Sequence, residues 1–140
     1  MKLSLEVINK IAQELEAGMK VYLNRRTLEF EPVLDWDDMT ETDFWEKEAR
    51  KIEKKWKDYI VITKMESHES FRVMENFVDE VDDIRLKEDL IKILNRKSPF
   101  SNFKMEVESS NHRQKWFDFR TKRYEDYVTD QLDLENIEHE

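Results

Sequence analysis

A chain of 140 residues with one glycine and two prolines has few ways to turn sharply. Glycine supplies most of the positive-φ positions that tight turns need, and proline presets others. A many-stranded sheet is therefore hard to build from this sequence, and long helices are favoured. Charged residues make up 41% of the chain and hydrophobic residues 39%, a balance that can signal disorder. The 4 Trp, 4 Tyr and 8 Phe argue against it, because they recur at regular spacings and disordered chains lack such rings. A chain of this length buries roughly two-thirds of its unfolded surface, enough for one core without metal or disulfide.

The periodicity then sets out the elements. Leu5, Ile8, Ile11, Ala12 and Leu15 predict an amphipathic helix from Ser4 to Ala17, and Gly18 stands where a helix end favours positive φ. Val21–Leu23 and Thr27–Phe30 read as a hairpin around Asn24-Arg25-Arg26, with Pro32 closing the second strand at a sheet edge. Asp35 to Glu48 holds seven acids against one lysine. Thr40 there caps an expected helix to Lys57, with Trp45, Ala49, Ile52 and Trp56 on one stripe. Tyr59–Thr63 reads as a buried strand that pairs with the hairpin. Ser67 is expected to cap the next helix, whose inner stripe is Phe71, Met74, Val78 and Val81, flanked by Phe77. Asp82 or Asp83 caps a helix to Asn95 with Leu86, Leu90, Ile93 and Leu94 inward. Ser98-Pro99 starts a short helix carrying Phe100, Phe103 and Val107. A last helix runs from His112 to Leu132, and the acidic tail, residues 133–140, is expected to fray.

The absence of cysteine removes disulfides, thiolate zinc sites and thiol nucleophiles together; it fits a reducing compartment and would also fit a simple exported protein. The N-terminus has no apolar run for a signal peptide, since Glu6, Asn9, Lys10 and Glu14 interrupt it. No window approaches the roughly 18 apolar residues of a membrane span. A net charge of −9 repels nucleic acid and anionic membranes when taken globally.

Phosphate-cradling loops need several glycines at set spacings, and Gly18 stands alone. Ser67-His68 and Ser110-x-His112 are the near pairs for a Ser-His-Asp site, but neighbours at a helix start point apart. His68, His112 and His139 lack metal-ligand spacing. Asp35-x-Asp37-Asp38 echoes a calcium loop without its glycine or its bidentate Glu, so a solvated acidic loop is expected. Glu75 is the most interesting acid, lying between Met74 and Phe77, although water or a lysine is its expected neighbour. Lys47 to Lys57 reads as a solvated basic face. The aromatic-basic stretch from His112 to Tyr124 is the most informative surface, with five bases against one acid. Arg113, Lys115, Trp116, Phe119, Arg120 and Arg123 form the candidate binding surface. Its rings could stack on bases of a nucleic acid, or they could fill a core while the cations face water. Its two stripes, Trp116/Phe119/Arg123 and Phe117/Tyr124/Val128, cover too wide an arc for one shallow contact.

From Ile60 onward the residue order has a further meaning. Ser67-x-x-Ser70-Phe71-x-x-Met74-Glu75-x-Phe77-Val78 precedes Leu90-x-x-x-Leu94. Pro99-Phe100-x-x-Phe103-Lys104 and Trp116-Phe117-x-Phe119-Arg120 follow. This order resembles the bacterial Uncharacterised Protein Family 0158 over Ile60 to Leu132, with a weaker fit in the hairpin. It departs where the family has a glycine before Phe-x-x-Phe-Lys, since Asn95-Arg96-Lys97 stands there. The resemblance implies a shared fold and a bacterial cytosolic origin, and it implies no activity.

The sequence thus predicts a mostly helical α+β domain over residues 1–132. Its small antiparallel sheet combines the N-terminal hairpin with one later strand. Phe-x-x-Phe and the Trp116 helix should form much of the core. The expected role is a non-enzymatic cytoplasmic interaction module with no cofactor and no metal. Its partner would be a macromolecule, protein rather than nucleic acid, and not a membrane. The two other readings are nucleic-acid binding through the basic C-terminal helix, and an acid-base or metal enzyme using Glu75, His68 or the Asp35 cluster.

Overall fold

The structure is a computed structural model that describes residues 2–34 and 58–140. The expected acidic stretch with its Asp35 cluster, and the Thr40–Lys57 helix with its basic face, lie outside the described residues. The fold is mostly helical α+β with a small three-stranded antiparallel sheet, as the periodicity predicts. The chain divides into two compact units, Met1–Lys64 with Tyr124–Glu140, and Met65–Arg123.

In the first unit, α1 spans Leu5–Glu16, and the Ser4 hydroxyl accepts from the Val7 N–H at 3.2 Å to cap it. Ile8, Ile11, Ala12 and Leu15 are buried on one stripe, the Ile and Leu side chains each worth about 1.5–3 kcal/mol of burial. Gly18 follows with φ +91°, as the helix end requires. Strand β1, Met19–Asn24, is central, with β2 (Phe30–Leu34) and β3 (Tyr59–Ile62) on its two sides. The register pairs Leu23 with Phe30 and Met19 with Leu34 on one side, and Leu23 with Ile60 on the other.

Two strand details differ from the sequence reading. The second strand starts at Phe30, because Asn24 accepts from the Arg26 and Thr27 N–H groups through its side chain and Leu28 turns with φ +60°. That five-residue loop consumes the run expected to be strand. Pro32 then sits inside β2 opposite Val21, which an edge strand tolerates. In β3, Ile60 and Ile62 are buried while Val61 is 50% exposed, so the strand is covered on one face.

Helix α5, Arg113–Leu134, extends into the first unit, where Tyr124, Val128 and Leu132 are buried at four-residue spacing. It ends in a Schellman pattern: Ile137 N–H donates to the Leu132 carbonyl at 2.9 Å and Asn136 N–H to Asp133 at 3.1 Å, with Asn136 at φ +57°. The tail returns to the N-terminus. Leu3 N–H donates to the Glu138 carbonyl, Glu140 N–H donates to the Leu3 carbonyl, and Ile137 is buried. Arg25 pairs with the Glu135 carboxylate and donates to its carbonyl. Acidic composition suggested a solvated end, but Ile137 gives the tail an anchor and Arg25 gives it a counter-charge.

In the second unit, α2 spans Ser67–Glu80, α3 Ile84–Leu94 and α4 Pro99–Glu108. Glu66, not Ser67, is the N-cap of α2, and its N–H donates to the Glu69 carboxylate at 3.3 Å in a capping box. Asp83 caps α3 through the Leu86 N–H. Ser98 precedes α4 at φ +54° without a side-chain cap bond, so its hydroxyl does not do the capping that its residue type suggested. Val73, Met74, Phe77 and Val78 are buried on α2, Leu86 and Leu90 on α3, and Phe103 and Val107 on α4.

Candidate functional site

The aromatic-basic stretch at the start of α5 separates into a core part and a surface part. Trp116 is 5% exposed. Its ring meets Phe77 at 5.1 Å and Phe103 at 5.0 Å, both edge-on, and Phe77 also meets Phe119 at 5.4 Å. Such edge-to-face pairs add about 0.5–1.5 kcal/mol beyond area burial. The Trp116 indole N–H is buried without a hydrogen-bond partner among the described residues, so packing is what holds this ring. Trp116 is therefore withdrawn from the candidate binding surface: the stripe that could have stacked on a ligand faces Phe77 and Phe103.

The cations of that stretch do not converge. Arg113 and Lys115 are exposed, whereas Arg120 and Arg123 are half-buried. Seven-residue spacing places Lys115 with Lys122 on one face of α5 and Arg113 with Arg120 on another. Arg113 lies over the Phe117 ring at 5.3 Å and Arg123 over Phe119 at 5.8 Å, within cation–π range. Two of the bases thus cover the unit's own rings.

The nucleophile candidates also have structural duties. Ser110 donates to the Val107 carbonyl at 2.7 Å and accepts from the His112 N–H at 3.1 Å. The buried His112 ring contacts Asn111 Oδ1 at 2.9 Å and Asp82 Oδ1 at 3.2 Å, not a serine hydroxyl. That ring hydrogen bond, with Lys115 nearby, holds the Asp82 carboxyl below the usual carboxylate range. His68 is exposed, 3.4 Å from Glu66. Glu66, His68 and Glu69 bring ligand-type atoms within 4.8 Å of one another, but Glu69 is engaged in capping α2. His139 bridges the Asp133 carboxylate at 2.7 Å and the Glu140 carbonyl at 2.9 Å, which together raise its pKa above the ordinary histidine value.

The feature that composition did not reveal is an open groove of about 550 Å³ between α2 and α3. Phe71 and Val78 from α2 and Ile91 and Leu94 from α3 supply apolar walls. Arg72, Glu75, Asn76 and Asp79, spaced i, i+3, i+4, i+7, form one polar stripe along α2. The volume falls in the roughly 300–1,000 Å³ range of ligand sites. Glu75 is exposed and makes no hydrogen bond or ion pair among the described residues. Ile91 is 45% exposed and Phe100 is 42% exposed. Phe100 meets Phe71 edge-on at 6.4 Å, extending the apolar margin beyond the groove.

A family model described as Uncharacterised protein family (UPF0158) matches residues 3–139. The chain belongs to that family. No curated protein and no solved structure matches it. The UPF0158 match takes in the hairpin as well as the segment from Ile60 to Leu132 that carries the motif order. The geometry divides each UPF0158 motif between interior and surface. In Met74-Glu75, Met74 is buried and Glu75 faces the groove. In Phe-x-x-Phe-Lys, Phe103 is fully buried whereas Phe100 and Lys104 are exposed, so Phe100 is corrected from core to surface. By helical spacing Phe100 shares the stripe of Phe103 and Val107, but it stands in the first turn of α4, where it meets Phe71 edge-on and stays 42% exposed. The groove was readable in part from the polar stripe Arg72/Glu75/Asn76/Asp79. The exposure of Ile91 was not, because α3 carries more aliphatic residues than one buried stripe can hold. Among the described residues, no helix is long and apolar enough to cross a membrane.

Proposed function

We propose that this chain is a non-enzymatic interaction module of the bacterial cytoplasm that binds a protein through the α2–α3 groove. The observation that carries this reading is the exposure of Ile91 and Phe100 beside a groove walled by Phe71 and Leu94. Exposed apolar side chains set beside polar and charged ones are a common feature of protein-binding faces. The absence of cysteine and the family resemblance support the compartment. The nucleic-acid reading loses its main support once Trp116 is packed against Phe77 and Phe103. The enzyme reading has little to work with in the groove, since Glu75 is exposed and no hydrogen bond orients it among the described residues.

The test compares tagged wild type with Ile91→Glu/Phe100→Glu, two changes at exposed positions that leave the circular-dichroism spectrum unchanged. Both are incubated with nuclease-treated lysate of the source cells. The expected result is a protein retained by the wild type and lost by the variant. Equal retention by both, or recovery of nucleic acid alone from untreated lysate, contradicts the reading.

A further inference from the structure

We infer that the occupant of the α2–α3 groove is an amphipathic helix carrying basic residues beside its apolar stripe; this rests on the groove being the binding face proposed above. Two features of the groove select that chemistry.

The first is what the groove lacks. Its walls are two helices, whose main-chain N–H and C=O groups are bonded within each helix. An extended segment laid there would find no strand edge to pair with, and its own backbone groups would lose water without replacement. A helix arrives with those groups already satisfied. Apolar side chains at i, i+3 or i+4 and i+7 would then seat against Phe71, Ile91 and Leu94.

The second is charge. Glu75 and Asp79 stand one turn apart on the same face of α2, both exposed and neither in an ion pair among the described residues. Carboxylates at this spacing lie about 5–6 Å apart at Cβ and suit lysine or arginine side chains along a second helix. Arg72, on the same stripe at the other end, also lacks an ion-pair partner among the described residues. The order along α2 is positive, then negative twice, so a complementary helix sets its bases opposite Glu75 and Asp79 and an acid opposite Arg72. That gives it one orientation.

The probes are two synthetic peptides of about 18 residues, long enough to populate a helix in water. Both carry one leucine stripe. One has lysines flanking the stripe, and the other has glutamates at the same positions. Binding is followed by fluorescence anisotropy and by amide shifts in the full chain. The lysine peptide should bind wild type at least about tenfold more tightly than the glutamate peptide, with shifts concentrated in residues 71–79 and 91–95. Glu75→Lys/Asp79→Lys, changed at two exposed positions, should reverse that preference. Equal binding of the two peptides, no binding of either, shifts centred elsewhere, or an unreversed preference each overturns the inference. If the wild type nevertheless retains a groove-dependent protein from lysate, the partner chemistry is wrong and the binding-face reading stands. If that dependence is also lost, the binding-face reading itself has failed.

Discussion

At the scale of single residues, burial separates side chains that the sequence makes look alike. Phe100 and Phe103 share one motif, yet Phe103 is 0% exposed and touches both Phe77 and Trp116. Phe103→Ala should destabilise the protein by about 3–5 kcal/mol through lost burial and the cavity left behind. Phe100→Ala should cost less, about 1–2 kcal/mol, because only part of its ring leaves water. Urea midpoints measure both, with an unchanged m-value confirming that the same structure unfolds. A second contrast concerns φ. Gly18 lies at φ +91° and a Cβ there would meet nothing within 4 Å, so Gly18→Ala isolates the backbone cost, about 1–2 kcal/mol. Ser98 sits at φ +54° and makes no side-chain cap bond. Ser98→Gly should relieve that strain and raise the urea midpoint, a gain reduced by about 0.4–1 kcal/mol of extra unfolded-chain entropy. Ser98→Ala, which keeps the Cβ, should not raise it. The connection before α4 thus uses a serine in the left-handed region, three residues after Asn95.

At the scale of elements, the sequence was legible wherever one apolar stripe met one partner. Helix α1 from its Ser4 cap to Gly18, the apolar run that becomes β3 and the Asp83 cap all follow from local spacing and local hydrogen-bond chemistry. It was less legible where a side chain chose between two backbone duties. Asn24 closes a five-residue loop and shortens the expected strand, and Glu66 takes the cap that Ser67 was expected to provide. The groove was half legible: Arg72, Glu75, Asn76 and Asp79 share one face by spacing, but that Ile91 stays open depends on tertiary packing. The tail's attachment was not legible because its anchors, Leu3 and Arg25, are more than 100 positions away in sequence. Its attachment should depend on pH. His139 has a raised pKa because the Glu140 carbonyl and the Asp133 carboxylate both accept from its ring. The stabilisation is then fully present below the unfolded histidine value of about 6.5 and is lost as pH rises through the higher folded value. Lys2 and Glu138 line the same hollow and Glu140 adjoins the ring, so the acids there must remain ionised for the comparison. Amide-exchange protection factors of Leu3 and Glu140 should fall as pH rises through that window. His139→Gln should flatten the profile, and a fall of equal size in the variant would assign it to another group.

At the scale of the whole molecule, added salt should act on folding and on binding in opposite directions. Acids outnumber bases 33 to 24. The ion pairs Lys10–Glu6 and Arg26–Asp58 are largely exposed at their cations, and pairs of that kind contribute about 0–1 kcal/mol each. They offset little of the net repulsion that a compact chain of charge −9 must carry. Raising sodium chloride from about 10 mM to 100 mM shortens the screening length from about 30 Å to about 10 Å. The urea midpoint should therefore rise over that range, since repulsion between distant acids is screened before close contacts are. Binding of a basic helix at Glu75 and Asp79 should weaken over the same range, because the attraction is screened in the same way. A nucleic-acid ligand held by Lys115 and Lys122 would also weaken with salt, but its affinity would be unaffected by Glu75→Lys/Asp79→Lys, or increased by the added charge. The salt series measured on wild type and on that variant separates the two. A midpoint that falls as salt is added would mean that specific ion pairs, not net repulsion, dominate the electrostatics of the fold, and the charge argument for a basic partner would have to rest on the groove's own carboxylates alone.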